Sequence, residues 1–156
     1  MSVRDVKIAS LLKEKYIYLD FNEKDKKKIL TKMVDLVSLS GKIKDKKAFL
    51  NALIKREKLG STGIGNGVAI PHSKSERVTD FVLAFGRQSS GIDFGALDGE
   101  KTYLFFMLAS PEDNVGGHLK FLADISRLVK DKFIVERLKA AKDKKEIIKI
   151  LETFEK

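Results

Sequence analysis

Cysteine and tryptophan are absent and proline occurs only twice, at Pro71 and Pro111, in a chain of 156 residues. Without cysteine there is neither a disulfide framework nor a thiolate metal site, so the chain must hold together by apolar burial, for which its length suffices. So few prolines, with no low-complexity stretch, leave no hinge, and residues 1–156 are expected to form a single domain. Long apolar runs are missing as well. The longest, residues 104–109, is far short of the ~20 residues that cross a bilayer. The charged start Met1-Ser2-Val3-Arg4-Asp5 opens no export signal. A cytoplasmic location without direct membrane insertion is the expectation.

What the chain has in excess is lysine. A formal net charge of +9 attracts polyanions at long range. Yet the clusters Lys24, Lys26, Lys27 and Lys28, Lys42, Lys44, Lys46 and Lys47, and Lys142, Lys144 and Lys145 are mostly interleaved with acidic residues, as on solvated helix faces. No recognition motif accompanies them, and no nucleic-acid partner is expected.

Apolar periodicity divides the chain into helices, strands and helices again. Ser2 is placed to cap a first helix carrying Val3, Val6, Leu11 and Leu12, and residues 16–19 read as a strand. Asn22 is expected to cap a helix that buries Ile29, Leu30, Met33, Val34 and Val37 and stops at Gly41. A further helix starts near Asp45, buries Phe49, Leu50, Leu53 and Ile54, and ends around Arg56-Glu57-Lys58. Strands are expected at 66–70, 81–87 and 103–109, the last so apolar that helices should cover both its faces, with a short strand around Ile92. From Asn114 on, helical faces are marked by Leu119, Leu122, Ile125 and Val129, then Phe133, Ile134 and Leu138, then Ile147, Ile148 and Leu151. The expected fold class is α/β, a mixed β-sheet flanked by helices in one layered domain.

Between the third helix and the first long strand lies Gly60-Ser61-Thr62-Gly63-Ile64-Gly65-Asn66-Gly67-Val68-Ala69-Ile70-Pro71-His72, with four glycines in eight positions and one of the chain's two histidines at its end. Neither the phosphate-loop nor the dinucleotide fingerprint is present. Neutral imidazole is a good nitrogen nucleophile near neutral pH, provided an acceptor holds one ring nitrogen while the other presents its lone pair. Pro71 restricts Ile70 to extended geometry and aims His72 off a strand end, presented and not buried. His118 follows a cap at Asn114 and falls in or near the first turn of a helix, where N–H groups favour anions. Arg56 adds a guanidinium able to clamp two oxygens. No third ligand joins the histidines at a metal-binding spacing. Taken singly, each of these residues more often fills an ordinary surface or core role.

Together they resemble a known family. Arg56-Glu57-Lys58, the run from Ser61 to His72, and His118-Leu119-Lys120-Phe121-Leu122-Ala123 are similar to enzyme IIA of the fructose/mannitol class of the bacterial phosphoenolpyruvate-dependent sugar phosphotransferase system, including its nitrogen-regulatory branch. The resemblance implies a relay: the phosphocarrier HPr donates to Nε2 of His72, His118 and Arg56 stabilise the phosphoryl group, and a IIB domain receives it. It implies no metal and no organic cofactor. Ser73 departs from the very small residue the family usually has there. A regulatory role, in which phosphorylation state selects protein partners, is the alternative, and a chain with no fused IIB or membrane segment allows it. The glycines then read as a shaped rim through which a partner reaches His72, with Ile64, Val68 and Phe121 either docking there or filling the core. Sugar identity and oligomeric state are left open.

Overall fold

In the computed structural model, which describes residues 2–156, the N-terminal segment is more broken than its apolar spacing suggests. The Ser2 hydroxyl accepts from the Arg4 N–H, but it caps only a 3-10 turn at Val3–Asp5, because Val6 is extended. Helix α1 (Ile8–Leu11) is four residues long and has no side-chain cap from Lys7. Its N–H groups are met from the other end of the chain: the Glu155 carboxylate accepts from Ile8 and Ala9 at 2.7 and 2.8 Å. A second 3-10 turn at Glu14–Tyr16 leads into strand β1 (Ile17–Tyr18).

Helix α2 (Lys26–Ser38) buries the five residues its pattern marks, but its cap is Asp25, which accepts from the Lys28 N–H, and not Asn22. Gly41, at φ 73°, adopts the left-handed geometry expected where the chain leaves the helix. Helix α3 (Lys46–Leu59) starts where expected, capped by Asp45, and buries Phe49 and Leu53, while Leu50 and Ile54 are only half-buried.

The sheet contains β1, β2 (Gly63–Gly65), β3 (Val68–Ala69), β4 (His72–Ser75), β5 (Val82–Ile92) and β6 (Thr102–Pro111). Its order is β1-β5-β6-β3-β2, with β4 also on β6. β5 runs antiparallel to β6, β1 is parallel to β5, and β2 is antiparallel to β3. β3 and β4 both lie parallel to β6 in one continuous register, Val68↔Leu104 and Ala69↔Phe105, then His72↔Leu108. Pro71 has no N–H to extend the ladder, yet its carbonyl accepts from Leu108 at 3.0 Å, so it interrupts the pairing without shifting it. The short strand expected near Ile92 is the end of β5, beyond a register shift after Arg87. Residues 104–109 are fully buried, as a central strand requires.

Helices α4 (Val115–Lys130), α5 (Lys132–Ala140) and α6 (Lys144–Phe154) complete the layers. The α4 face that packs inward carries His118, Phe121, Ile125, Leu128 and Val129. Leu119 and Phe133, read from the sequence as face residues, are 60% and 73% exposed. A helical turn of 3.6 residues puts Leu119 beside the stripe set by His118 and Phe121, and not on it. The α/β class and the mixed sheet flanked by helices are as the sequence implies.

Candidate active site

The glycine run folds into a hairpin. Gly65 pairs with Val68, and the two residues between, Asn66 and Gly67, have φ of 58° and 77°. This left-handed pair is the turn that matches strand twist, and Asn-Gly is its favoured sequence. The turn sits level with Tyr103 and Leu104, whose N–H groups both donate to the Gly67 carbonyl. His72 is level with Leu108, about 13 Å further along β6 at the usual strand rise. Gly65 and Gly67 therefore shape the far end of the hairpin and form no rim around His72. Gly63 has a different reason to lack a side chain: a Cβ there would stand 3.0 Å from Ala96 Cα.

Glu57 anchors the entry to this hairpin. Its buried carboxylate accepts from the Thr62 N–H at 3.2 Å and from the Thr62 hydroxyl, and pairs with Lys26 Nζ at 2.7 Å. Lys26 is itself held 4.2 Å above the Phe94 ring and donates to the Phe94 carbonyl. In the sequence Glu57 is one charge among several at a helix end, so nothing marks it as buried; its partners are Thr62, five residues on, and Lys26 of another helix.

His72 opens β4 and does not hang from a strand end. Its ring is half-buried, and Nδ1 lies 2.7 Å from the Ile70 carbonyl. A carbonyl only accepts, so Nδ1 carries the ring proton and Nε2 keeps its lone pair. Burial lowers the pKa of the ring; the Ile70 hydrogen bond opposes the shift, Arg56 and Lys74 reinforce it, and Glu57 again opposes it.

His118 approaches from the helix layer. Asn114 caps α4 by accepting from the Gly117 N–H at 2.9 Å, and the His118 N–H is satisfied by the Asn114 carbonyl at 3.1 Å. A side chain at Gly117 has no room, since its Cβ would lie 2.5 Å from Phe81 Cζ. Glycine there lets the helix start press onto Phe81 and brings the next residue down onto the sheet. The His118 ring is 5% exposed, its Nδ1 is 2.7 Å from Ser110 Oγ, and its centroid is 5.5 Å from that of His72 with the planes at 51°. Burial, then His72, then Lys74 push its pKa down to about 4. At neutral pH both rings are uncharged.

Arg56 occupies the last turn of α3, where Nη1 donates to the Gly60 carbonyl at 2.9 Å. Among the described residues its other N–H groups have no protein acceptor, and its charge is felt at His72. The structure thus brings the two histidine rings together, while Arg56 stands in the last turn of α3 with its charge acting on His72. Ser110 and Glu57 join the cluster unannounced by the sequence. Among the described residues, no group of three or more metal-ligating side chains is disposed to hold an ion, and no helix is long and apolar enough to cross a membrane.

The same arrangement of chain recurs in known proteins. The chain is 36% identical over 151 residues to the PTS system fructose-specific EIIABC component of Bacillus subtilis, an alignment that takes in 97% of this chain but only 24% of that longer protein. The crystal structure of the nitrogen regulatory protein IIA-Ntr from Neisseria meningitidis matches with a TM-score of 0.87 at 33% identity, covering 92% of this chain and 98% of that one. At 20% identity, enzyme IIA mannitol of Escherichia coli, solved in complex with phosphorylated enzyme IIB mannitol, shares the fold with a TM-score of 0.80, covering 92% of this chain and 99% of that one. The family model described as "Phosphoenolpyruvate-dependent sugar phosphotransferase system, EIIA 2" matches residues 10–154, and the chain belongs to that family of phosphotransfer components.

Proposed function

We propose that residues 1–156 act as one EIIA unit in the cytoplasm, in which His72 accepts a phosphoryl group from a phosphorylated HPr-type carrier and passes it to a IIB domain. The observation that carries this reading is the Ile70 hydrogen bond to Nδ1, which leaves Nε2 of His72 as the nucleophilic nitrogen beside a second, buried imidazole. The Nε2 lone pair forms the new P–N bond while the bond to the carrier's histidine breaks and that nitrogen recovers its electron pair. Charge that develops on the His72 ring is stabilised at Nδ1–H by the Ile70 carbonyl. Arg56, with unused N–H donors, and His118 stabilise the phosphoryl oxygens. In-line positioning and positive charge are most of what phosphoryl transfer asks of a protein. No cofactor enters the reaction.

The carrier must bring its phosphorylated histidine, and the IIB domain its acceptor side chain, up to a half-buried ring, which calls for an adaptable apolar surface. Ile64 of β2, Leu97 in the loop bonded to Gly63, and Val115 and Leu119 on the outer side of α4 are exposed and supply it. Val68 and Phe121 belong to the core. The match to IIA-Ntr favours a second reading, a regulator whose phosphorylation state selects its protein partners. Incubation with phosphoenolpyruvate, enzyme I and HPr should give an acid-labile adduct that His72→Ala does not form. Capture of a IIB domain alone by the phosphorylated protein supports the transport reading, and capture of a non-PTS protein in only one phosphorylation state supports the regulatory one. An unmodified wild type with a cognate HPr refutes both.

A further inference from the structure

The His118 ring is held by one hydrogen bond, and what lies at its other end determines what the ring can do. Ser110 is in β6, paired with Lys74, two residues beyond the Leu108 that faces His72. Alternate residues of a strand share a face, so Ser110 and His72 project to the same side of the sheet, where α4 lowers His118 onto them. The Ser110 side chain is fully buried. Among the described residues its hydroxyl has a single partner, Nδ1 of His118 at 2.7 Å.

Two protonation patterns fit that distance, and they differ in what remains unsatisfied. If Nδ1–H donates to Oγ, the hydroxyl hydrogen is left in the interior with no acceptor, and Nε2 carries a lone pair on a ring whose centroid is 5.5 Å from that of His72. If the hydroxyl donates to Nδ1, its hydrogen has an acceptor inside the protein, and the ring proton resides on Nε2, which is not among the buried side-chain atoms left without a partner. Burying an unmatched donor is unfavourable, so the second pattern holds. We propose that Ser110 is a positioning residue that fixes His118 as the Nε2–H tautomer, making it a neutral donor aimed at the phosphoryl group on His72. In the other tautomer the His118 Nε2 lone pair would oppose the Nε2 lone pair of unmodified His72, and the anionic phosphoryl group once that lone pair has formed the P–N bond. The depressed pKa of His118 is consistent with a ring that donates without becoming a cation.

The inference rests on the phosphoryl-transfer reading of His72 for its functional half only; the tautomer is a property of the unmodified protein. Long-range nitrogen–proton NMR of the wild type at neutral pH should show His118 Nδ1 as the unprotonated, pyridine-type nitrogen and Nε2 as the protonated one. The reverse assignment overturns the proposal, whatever the fate of the relay. Ser110→Ala should lose this fixed tautomer and accept a phosphoryl group from HPr about tenfold more slowly, the worth of one hydrogen bond. Ser110→Thr, which keeps the hydroxyl, should restore part of the rate. Transfer to a folded Ser110→Ala at the wild-type rate overturns the positioning role while leaving the relay intact. If Ser110→Ala does not fold, the wild-type spectrum decides the tautomer. If no wild-type phosphorylation occurs, the relay fails and the positioning role falls with it.

Discussion

His118 is the residue whose burial leaves the clearest mark on solution behaviour. In the unfolded chain its ring takes up a proton near the ordinary value of about 6.5, but in the folded protein it resists protonation down to about 4. Protons therefore bind preferentially to the unfolded state across that interval, and stability should fall as pH drops from about 6.5 to about 4, then lose this dependence below it. His72, also lowered, acts in the same direction. Urea titrations at a series of pH values check this, and His118→Gln should flatten the curve. Asp20, held low by hydrogen bonds from Ser89 and Arg87, adds a further loss when its carboxylate protonates in acid. At this scale the sequence was partly readable: His72, His118 and Arg56 stand out because histidine is scarce and the motif is specific. Ser110 and Glu57 do not, because an ordinary serine in a strand and a glutamate at a helix end become special only through partners distant in the sequence or folded over the sheet.

At the scale of elements, the site depends on how α4 begins. Gly117→Ala would place Cβ 2.5 Å from Phe81 Cζ and 2.9 Å from Asn114 Oδ1, and should cost about 1–3 kcal/mol as an overpacking change. It should also lift His118 from the sheet and slow phosphorylation, seen by thermal unfolding alongside an HPr transfer assay. Asn114→Ala removes the cap on Gly117 N–H and should cost about 1 kcal/mol. By contrast Gly67→Ala strains a turn at φ 77° and should cost about 1 kcal/mol with little change in transfer rate, since that turn is far from His72. The cap at Asn114 and the helix start near Asp45 were legible because a short polar side chain precedes each apolar pattern. The α2 cap was not, since Asn22 and Asp25 offer the same chemistry three residues apart. The strand that opens at His72 was hidden because Pro71 reads as a terminator, and only its place against β6 shows that pairing resumes in register.

Across the whole molecule, Arg87 ties the sheet to the C-terminal helices. Buried in β5, its Nη1 donates to the carbonyls of Leu138, Lys139 and Ala141 at 3.2, 3.2 and 2.7 Å, closing the end of α5, while Nε pairs with Asp20 at 3.3 Å. Replacement by Met leaves those carbonyls without their buried donor and should cost about 3 kcal/mol in chemical unfolding, among the larger effects of a single substitution. These long-range ties join the helices to the sheet that carries His72. The claim to which everything else is subordinate is that Nε2 of His72 carries the phosphoryl group. Phosphorus and nitrogen NMR of the protein phosphorylated through HPr tests it directly. One phosphohistidine signal is expected, assigned to Nε2 of His72 and absent from His72→Ala; a phosphoryl group on Nδ1, on His118 or on any other residue would contradict the proposed role of His72.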